Sequence, residues 1–149
     1  MKIKSGIYKG RVFLVPKGIR PTQDIVRKAL FDILGDMSGL SFLELFAGSG
    51  SVGLEALSHG AKSVTFVEID RNSSLILENN IKSILSTDYC LLTTAVITSD
   101  VFLAIAKLAN QPGKFDIIFA DPPYYKGLPE KTLQSLGEYD ILKPLGFLV

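Results

Sequence analysis

A carboxylate, two prolines and an aromatic ring stand together directly after an apolar stretch of the chain. Asp121, Pro122, Pro123 and Tyr124 follow residues 115–120, which predict a buried strand. Consecutive prolines fix φ and lack an N–H, so the chain leaves this strand as a stiff arch. The Asp121 carboxylate and the Pro122 carbonyl are acceptors beside the ring of Tyr124. This set suits an amino group on a heteroaromatic base that stacks on the tyrosine, and an ordinary strand-to-loop turn is the alternative.

A glycine-rich loop after the first predicted strand forms a second candidate site. Gly48, Gly50 and Gly53 have the spacing G-x-G-x-x-G between a strand and a helix, and Glu68 lies 20 residues beyond Gly48. Such a loop lets a nucleotide-like ligand approach the backbone, and an acid at this distance accepts ribose hydroxyls. The pattern predicts a ligand with an adenosine group. Simple packing of a helix on a strand is the alternative.

Glu44 precedes Gly48 by four residues and so places a carboxyl group near the glycine loop. This acid distinguishes between the ligands that carry adenosine. Its charge would repel a pyrophosphate at the helix N-terminus and attract a cation, although it could also cap backbone N–H groups of its own loop. S-adenosylmethionine has a sulfonium and an α-ammonium group and no phosphate, so it is the predicted cofactor. Asp100 is a candidate for the adenine amino group and equally for a helix N-cap. The predicted cofactor site comprises Glu44, Phe46, Ala47, Gly48, Ser49, Gly50, Glu68, Ile69, Asp70, Asp100 and Val101.

Composition narrows the class of protein. The 149 residues are 47% hydrophobic, which suits one globular domain, and no apolar run has the roughly 20 residues of a membrane helix. One cysteine and one histidine make a metal site improbable and favour a reducing cytoplasm. Residues 1–28 hold eight basic residues and one acidic residue, a net charge of +7, whereas residues 29–149 carry −6. This asymmetry predicts a basic arm that binds a polyanion, with a solubilising tail as the alternative.

Apolar strands and amphipathic helices alternate along the chain, which predicts a mostly parallel α/β sheet covered on both faces. A small hairpin is expected within residues 3–15. Thr22 is expected to cap a helix whose apolar face holds Ile25, Val26, Ala29, Leu30, Ile33 and Leu34. Further strands are expected at residues 42–46, 63–68, 90–94, 115–120 and 146–149, and further helices at residues 52–58, 73–85, 101–109 and 130–136.

Ligands of open α/β sheets bind beyond the carboxyl ends of the strands, where the strand order reverses. This rule brings the glycine loop and the proline arch together. The arch would then hold an amino nitrogen in line with the sulfonium methyl group, and Asp121 would stabilise the positive charge that develops on nitrogen. Asp121, Pro122 and Tyr124 are therefore the predicted catalytic residues.

The sequence resembles the bacterial small-subunit ribosomal RNA guanine-N2 methyltransferases, which act on 16S RNA with S-adenosylmethionine. The resemblance runs through nearly the whole chain. It rests on Gly6, Gly10-Arg11, Arg20-Pro21-Thr22, Leu30-Phe31, the stretch from Glu44 to Gly50, the stretch from Gly53 to Ser58, Gly60-Ala61, Val67-Glu68, Phe115-Asp116 and the stretch from Asp121 to Tyr124. It differs from the usual family pattern in having Glu44 where the family has Asp.

The resemblance implies a Rossmann-like class I methyltransferase fold, with residues 1–21 as a basic hairpin arm and residues 22–149 as the methyltransferase domain. It also implies a terminal antiparallel strand pair that this chain lacks, which would leave an apolar sheet edge exposed. The implied partner is 16S ribosomal RNA in a small-subunit assembly particle. Residues expected to contact that RNA are Lys9, Arg11, Lys17, Arg20, Thr22 and Pro123.

Three other functions stay open from the sequence. A DNA amino-methyltransferase would use a similar arch, but it lacks support because no target-recognition domain is present. A module that binds the methyl donor or RNA without turnover is compatible with the missing strand pair. An NAD-dependent oxidoreductase has only the glycine spacing in its favour, and Glu44 opposes it.

Overall fold

The computed structural model describes residues 1–85, 93–125 and 127–149. The helices and strands in these ranges are α1 (Asp24–Leu34), β1 (Ser41–Leu45), α2 (Ser51–Ser58), β2 (Ser63–Glu68), α3 (Arg71–Leu85), β3 (Thr93–Thr98), α4 (Val101–Ala109), β4 (Phe115–Ala120), α5 (Leu128–Glu138) and β5 (Leu142–Leu148).

The strands form one parallel sheet in the order β3-β2-β1-β4-β5. Leu45 at the end of β1 lies opposite Val67 of β2 and Ala120 of β4. The chain order reverses between β1 and β4, so the loops that follow these two strands leave the same edge of the sheet side by side. The predicted Rossmann-like sheet is confirmed.

The sheet separates two apolar clusters, which explains why its central strand is apolar on both faces. Phe42 of β1 packs in the cluster that holds buried residues of α1, α2 and α3. Leu43 and Leu45 point the other way and pack in the cluster that holds α4 residues and Ile141. Because successive side chains of a strand alternate between faces, Glu44 lies on the same face as Phe42, toward α2.

Helix α1 buries a different face from the one expected. Arg27 and Phe31 are its buried residues, whereas Ile25 and Val26 are exposed and Ile33 is 83% exposed. Arg27 can be buried because its guanidinium donates to Asp24 at 2.8 Å, in a pair one turn apart. The predicted apolar face was therefore wrong in part: Leu30 and Leu34 pack against the core, but the buried stripe also includes a paired cation.

The ends of several elements also differ from the predictions. Gln23, not Thr22, precedes α1, and no side chain caps that helix, so the predicted Thr22 cap was wrong. Strand β3 runs from Thr93 to Thr98, while residues 90–92 of the predicted strand lie outside the described residues. Strand β5 begins at Leu142 and pairs in parallel with β4. The exposed apolar residues on and after β5 are Leu145, Phe147, Leu148 and Val149.

The N-terminal segment forms the predicted hairpin, in which Lys2 and Val12 make an antiparallel bridge. It is anchored to α2 by hydrogen bonds. The Ser5 N–H and hydroxyl donate to the buried Glu55 carboxylate at 2.7 and 2.8 Å, and the Ile7 N–H donates to the Ser58 carbonyl at 2.8 Å. Three hairpin side chains, Ile3, Tyr8 and Phe13, belong to the main apolar cluster. This segment therefore shares the core of the sheet domain.

Within the described residues, no helix has the length and apolar character needed to cross a membrane. In the same ranges, no group of three or more histidine, cysteine, aspartate or glutamate side chains is arranged to hold a metal ion.

Gly6 provides a test of how closely the hairpin is packed on α2. Its φ is +76°, and an added Cβ would lie 2.0 Å from the Ser58 carbonyl oxygen. We expect Gly6→Ala to lower the free energy of unfolding by roughly 2 kcal/mol more than Gly10→Ala, because overpacking adds to the backbone strain. Gly10 is the matched control, since its φ is +87° and its Cβ would have no neighbour within 4 Å. Urea unfolding measures both, and equal losses would contradict the close contact.

Candidate functional site

A cavity of about 430 Å³ opens at the carboxyl ends of β1, β2 and β4. Its wall is formed by the glycine loop, the proline arch, the start of α4 and a segment that precedes α1. The lining residues are Gly18, Ile19, Arg20, Pro21, Thr22, Glu44, Phe46, Ala47, Gly48, Ser49, Ser51, Glu68, Ile69, Asp100, Val101, Phe102, Phe119, Asp121, Pro123, Tyr125 and Leu128.

The pairing of β1 with β4 sets the positions of two acids in this cavity. Leu45 lies opposite Ala120, so Phe46 and Asp121 are the first residues beyond the paired ends of these strands. Glu44 lies opposite Phe119, one level deeper in the sheet. Glu44 is buried and Asp121 is exposed, and both line the cavity. The structure thus brings the glycine loop and the proline arch to one cavity.

The glycine loop turns sharply, and Glu68 holds it. Phe46, Gly48 and Gly50 have φ values of +57°, +53° and +68°, so three residues of this loop are in the left-handed region. The Gly48 N–H donates to Glu68 Oε2 at 2.6 Å, and the Asp70 N–H donates to Glu68 Oε1 at 2.8 Å. The buried Glu68 carboxylate therefore links the glycine loop to the end of β2 while it also lines the cavity.

Glycine at position 48 leaves room for the segment that precedes α1. A Cβ added to Gly48 would lie 3.1 Å from the Ile19 side chain, closer than most real Cβ contacts. Ile19 and Gly48 therefore form one continuous part of the cavity wall. Ile19 was not among the predicted site residues, although the resemblance places the next residues, Arg20 and Thr22, close to the RNA.

Glu44 is the most deeply placed acid of the cavity, with 3% of its surface exposed. Its Oε2 accepts the Gly53 N–H at 2.7 Å, so the carboxyl group lies at the N-terminus of α2. Glycine leaves the room that this contact needs, since a Cβ added at position 53 would lie 2.3 Å from the Phe66 ring and 2.8 Å from that oxygen. Burial raises the pKa of Glu44 to about 8, against the opposing effect of backbone N–H donors from Gly53 and Val52. The capping alternative for Glu44 thus holds, and the side chain still lines the cavity.

Asp100 has a structural role and also faces the cavity. It is the N-cap of α4, where its carboxylate accepts the N–H groups of Phe102 at 2.9 Å and Leu103 at 3.2 Å. It also lines the cavity together with Val101 and Ile69. A carboxylate that accepts two backbone N–H groups keeps acceptor capacity for a further donor.

Two predicted cofactor residues do not line the cavity, and each has another place in the fold. Gly50 precedes α2 with φ +68°, and a Cβ there would lie 2.3 Å from Leu77 of α3. The Asp70 carboxylate accepts the N–H and the hydroxyl of Ser73 at 2.7 and 2.8 Å, and these bonds hold the pKa of Asp70 below its ordinary value. Both residues support neighbouring helices, and neither is among the residues that line the cavity.

The proline arch contributes unequally to the cavity. Asp121 and Pro123 line it, whereas Pro122 and Tyr124 do not. The Tyr124 side chain is 94% exposed, and the cavity wall instead contains the neighbouring Tyr125. Tyr125 was not predicted as a site residue, although it directly follows Tyr124 in the arch.

The basic residues of the N-terminal segment are less available to a polyanion than their number predicts. Arg27 is buried against Asp24, and Lys4 is ion-paired with the same Asp24. Arg11 lies 5.0 Å from the centre of the Tyr8 ring and donates to the Ile84 carbonyl. Among the residues expected to contact RNA, Arg20, Thr22 and Pro123 line the cavity, while Lys9 and Lys17 are exposed away from its wall.

The cavity wall is rich in carboxylic acids. Four carboxylic acids line it, and Arg20 is the basic residue among the described lining residues. The four acids are Glu44, Glu68, Asp100 and Asp121. Protein walls of low dielectric constant strengthen the electrostatic potential inside a cavity. An acidic wall therefore disfavours a phosphate-bearing ligand and favours a cationic one.

The raised pKa of Glu44 predicts how stability depends on pH. Between pH 4.5 and about 8 the unfolded chain loses this proton and the folded protein keeps it, so the contribution of Glu44 to stability falls as pH rises. In Glu44→Gln this proton is absent, so the free energy of unfolding should fall less steeply with rising pH than in the wild type. We expect the two slopes to differ by up to about 1.4 kcal/mol per pH unit. Urea unfolding from pH 5 to 8 measures the difference between wild type and variant, with the exposed Glu130→Gln as control. A difference that does not change with pH would contradict the raised pKa.

Comparison with known proteins agrees with this geometry. The family described as Conserved hypothetical protein 95 matches residues 1–149. A ribosomal RNA small subunit methyltransferase D from Haemophilus influenzae is 36% identical over 97% of this chain and 74% of its own length. The structure of a hypothetical protein from Thermus thermophilus has a TM-score of 0.82 and 30% identity, over 99% of this chain and 83% of that one.

The fold extends to more distant methyltransferases. A methyltransferase from Agrobacterium tumefaciens, described as dependent on S-adenosylmethionine, has a TM-score of 0.68 and 22% identity over 88% of this chain and 44% of that one. At this identity the comparison concerns the fold alone. The chain therefore belongs to the Conserved hypothetical protein 95 family, together with the ribosomal RNA small subunit methyltransferases D.

Proposed function

We propose that this protein transfers a methyl group from S-adenosylmethionine to the exocyclic N2 amino group of a guanine in 16S ribosomal RNA, in the cytoplasm. One observation carries the proposal: Asp121 of the proline arch lines the same cavity as the glycine loop and Glu68. A methyl donor and an acceptor base would therefore meet at one sheet edge. The name of the Haemophilus influenzae relative supports ribosomal RNA as the substrate.

The cavity suits the proposed cofactor in size and charge. Its volume of about 430 Å³ is within the range of roughly 300–1,000 Å³ found for small-molecule sites. Four acids in the wall complement a ligand with two positive groups and no phosphate. When bound, S-adenosylmethionine supplies an electrophilic methyl group on a sulfonium sulfur. The same acids argue against NAD, whose pyrophosphate would be repelled.

The proposed binding residues have separate tasks. Glu68 and Ile69 at the end of β2 would hold the ribose side, and Asp100 and Val101 at the start of α4 would hold the adenine side. The rest of the cofactor would lie against a wall formed by Phe46, Ala47, Gly48 and Ser49. Gly50 and Asp70 keep an indirect role in this proposal, because they position α2 and α3 around that wall.

Asp121 and Pro122 would act on the acceptor nitrogen. An exocyclic amino nitrogen is a poor nucleophile because its lone pair is delocalised into the ring. Acceptors at the Asp121 carboxylate and the Pro122 carbonyl would favour a pyramidal nitrogen, and the carboxylate would stabilise the charge that develops there. The exposed ring of Tyr124 is accessible to a base that stacks on it, a contact worth roughly 1–3 kcal/mol.

The RNA would approach the cavity from the side of Arg20, Thr22 and Pro123, which line it. The exposed Lys9 and Lys17 would add phosphate contacts that position the RNA without selecting its sequence. Arg11 has a smaller part in this proposal, since its guanidinium already contacts Tyr8 and Ile84. A small-subunit particle in assembly is the proposed form of the substrate.

Methyl transfer to small ribosomal subunits tests the proposal directly. Subunits from a strain without this modification are incubated with the protein and tritiated S-adenosylmethionine, and the RNA is digested to nucleosides. We expect the label in N2-methylguanosine. Label in a methylated adenosine or cytidine would contradict the proposed acceptor atom. No label, with a folded protein that binds the donor by calorimetry, would favour a binding module without turnover.

Removal of the Asp121 carboxylate separates catalysis from donor binding. We expect Asp121→Ala to lower the rate of methyl transfer by at least about 100-fold, because one preorganised electrostatic group has this effect in other enzymes. The donor dissociation constant should change much less, since Asp121 is exposed at the rim of the cavity. Asp140→Asn is the control, because Asp140 is exposed and pairs with Lys114 near the start of β4. Full activity of Asp121→Ala would contradict the role of the arch.

A further inference from the structure

Glu44 is a buried acid in the cavity wall, and backbone N–H groups at the start of α2 hold its carboxyl group. It is 3% exposed, and its hydrogen bond to the Gly53 N–H satisfies one oxygen. Within the described residues it forms no salt bridge. A carboxylate in this position would be a buried charge without a salt bridge, and a group of this kind avoids the cost of burying its charge by staying protonated.

Charged groups act on Glu44 in both directions. Burial has the largest influence and raises the pKa of Glu44, Arg27 of α1 lowers it, and Asp121, from the loop after β4, has a smaller effect that raises it. Glu68 and Asp100 line the same cavity from β2 and α4, and Arg20 lines it from the segment that precedes α1. A proton on Glu44 thus removes one of four negative charges from a wall whose described residues include one basic side chain.

We propose that Glu44 carries a proton in the protein without donor and releases it when the cationic methyl donor binds, so that donor binding and loss of one proton are coupled. The inference rests on the proposed function, because it takes S-adenosylmethionine as the ligand of this cavity. It goes further by assigning to Glu44 a change of charge state during binding.

The exchange balances in charge and in protons. The carboxyl O–H bond breaks, the proton passes to water or buffer, and the carboxylate that remains compensates one positive charge of the donor. The cavity accepts a cation and loses a proton, so its net charge does not change. Before the donor binds, the proton on Glu44 also reduces the repulsion that four clustered carboxylates would produce.

Isothermal titration calorimetry can count the released proton. The protein is titrated with S-adenosylmethionine at pH 6.5 in several buffers that differ in ionisation enthalpy, and the slope of the observed enthalpy gives the number of protons. We expect a release close to one proton for the wild type and close to zero for Glu44→Gln. The matched control is Glu130→Gln on α5, which is exposed and outside the cavity wall, and it should release as many protons as the wild type.

The outcomes separate this inference from the proposed function. Donor binding without proton release would overturn the inference and leave the proposed function standing. Release that persists in Glu44→Gln would also overturn it, because another group would then be the source. A folded wild-type protein that fails to bind S-adenosylmethionine would overturn the proposed function, and the inference with it.

A second measurement needs no variant. The dissociation constant of the wild type for S-adenosylmethionine should fall by up to about tenfold per pH unit between pH 5.5 and 7, because a proton must leave before the complex is complete. This range lies below the ordinary pKa of an α-amino group, roughly 7.7–8.0, so the donor keeps its own charge. A dissociation constant that is independent of pH over this range would overturn the coupling.

Discussion

The pairing of β1 with both β2 and β4 is the constraint on which the site depends. Parallel strands place their carboxyl ends at one edge of a sheet, and the reversal of strand order at β1 leaves a gap between the helices there. Glu44, Glu68 and Asp121 come from three adjacent strands or the loops that follow them, and they meet only because these strands are in register. A shift of one residue would turn each of these side chains to the opposite face.

Buried polar contacts fix the parts of the chain that surround this edge. Glu55 holds the N-terminal hairpin through the N–H groups of Lys4 and Ser5, and Glu68 holds the glycine loop through Gly48. Each contact joins residues at least 20 positions apart, so it ties a loop to a helix or strand that the local sequence would not select. Such contacts are charge-assisted, which makes them stronger than hydrogen bonds between neutral groups.

The sequence predicted the sheet well, because buried parallel strands are continuous apolar runs that are easy to recognise between amphipathic helices. It failed at α1, where Arg27 was counted as a surface cation although Asp24 and the Lys2 carbonyl accept hydrogen bonds from it inside the protein. The predicted positive charge of the N-terminal segment was also too high, because Lys4 and Arg27 are both paired with Asp24. The cavity residue Ile19 was not predicted, because a return of the chain to a distant site depends on tertiary contacts and leaves no periodic signal. Tyr125 was not predicted either, although it directly follows Tyr124 of the arch.

The left-handed backbone of Phe46 has a consequence for how the site reaches its working shape. A residue with a Cβ in this region costs about 1–2 kcal/mol. Phe46 is kept there by its neighbours, since the Ala47 N–H donates to the Val67 carbonyl at 2.9 Å and the Gly50 N–H donates to the Ala47 carbonyl at 2.7 Å. These backbone hydrogen bonds hold the turn in its shape within the folded protein. The conformational entropy of this turn is lost during folding and not during binding. An incoming small molecule therefore meets a preorganised surface.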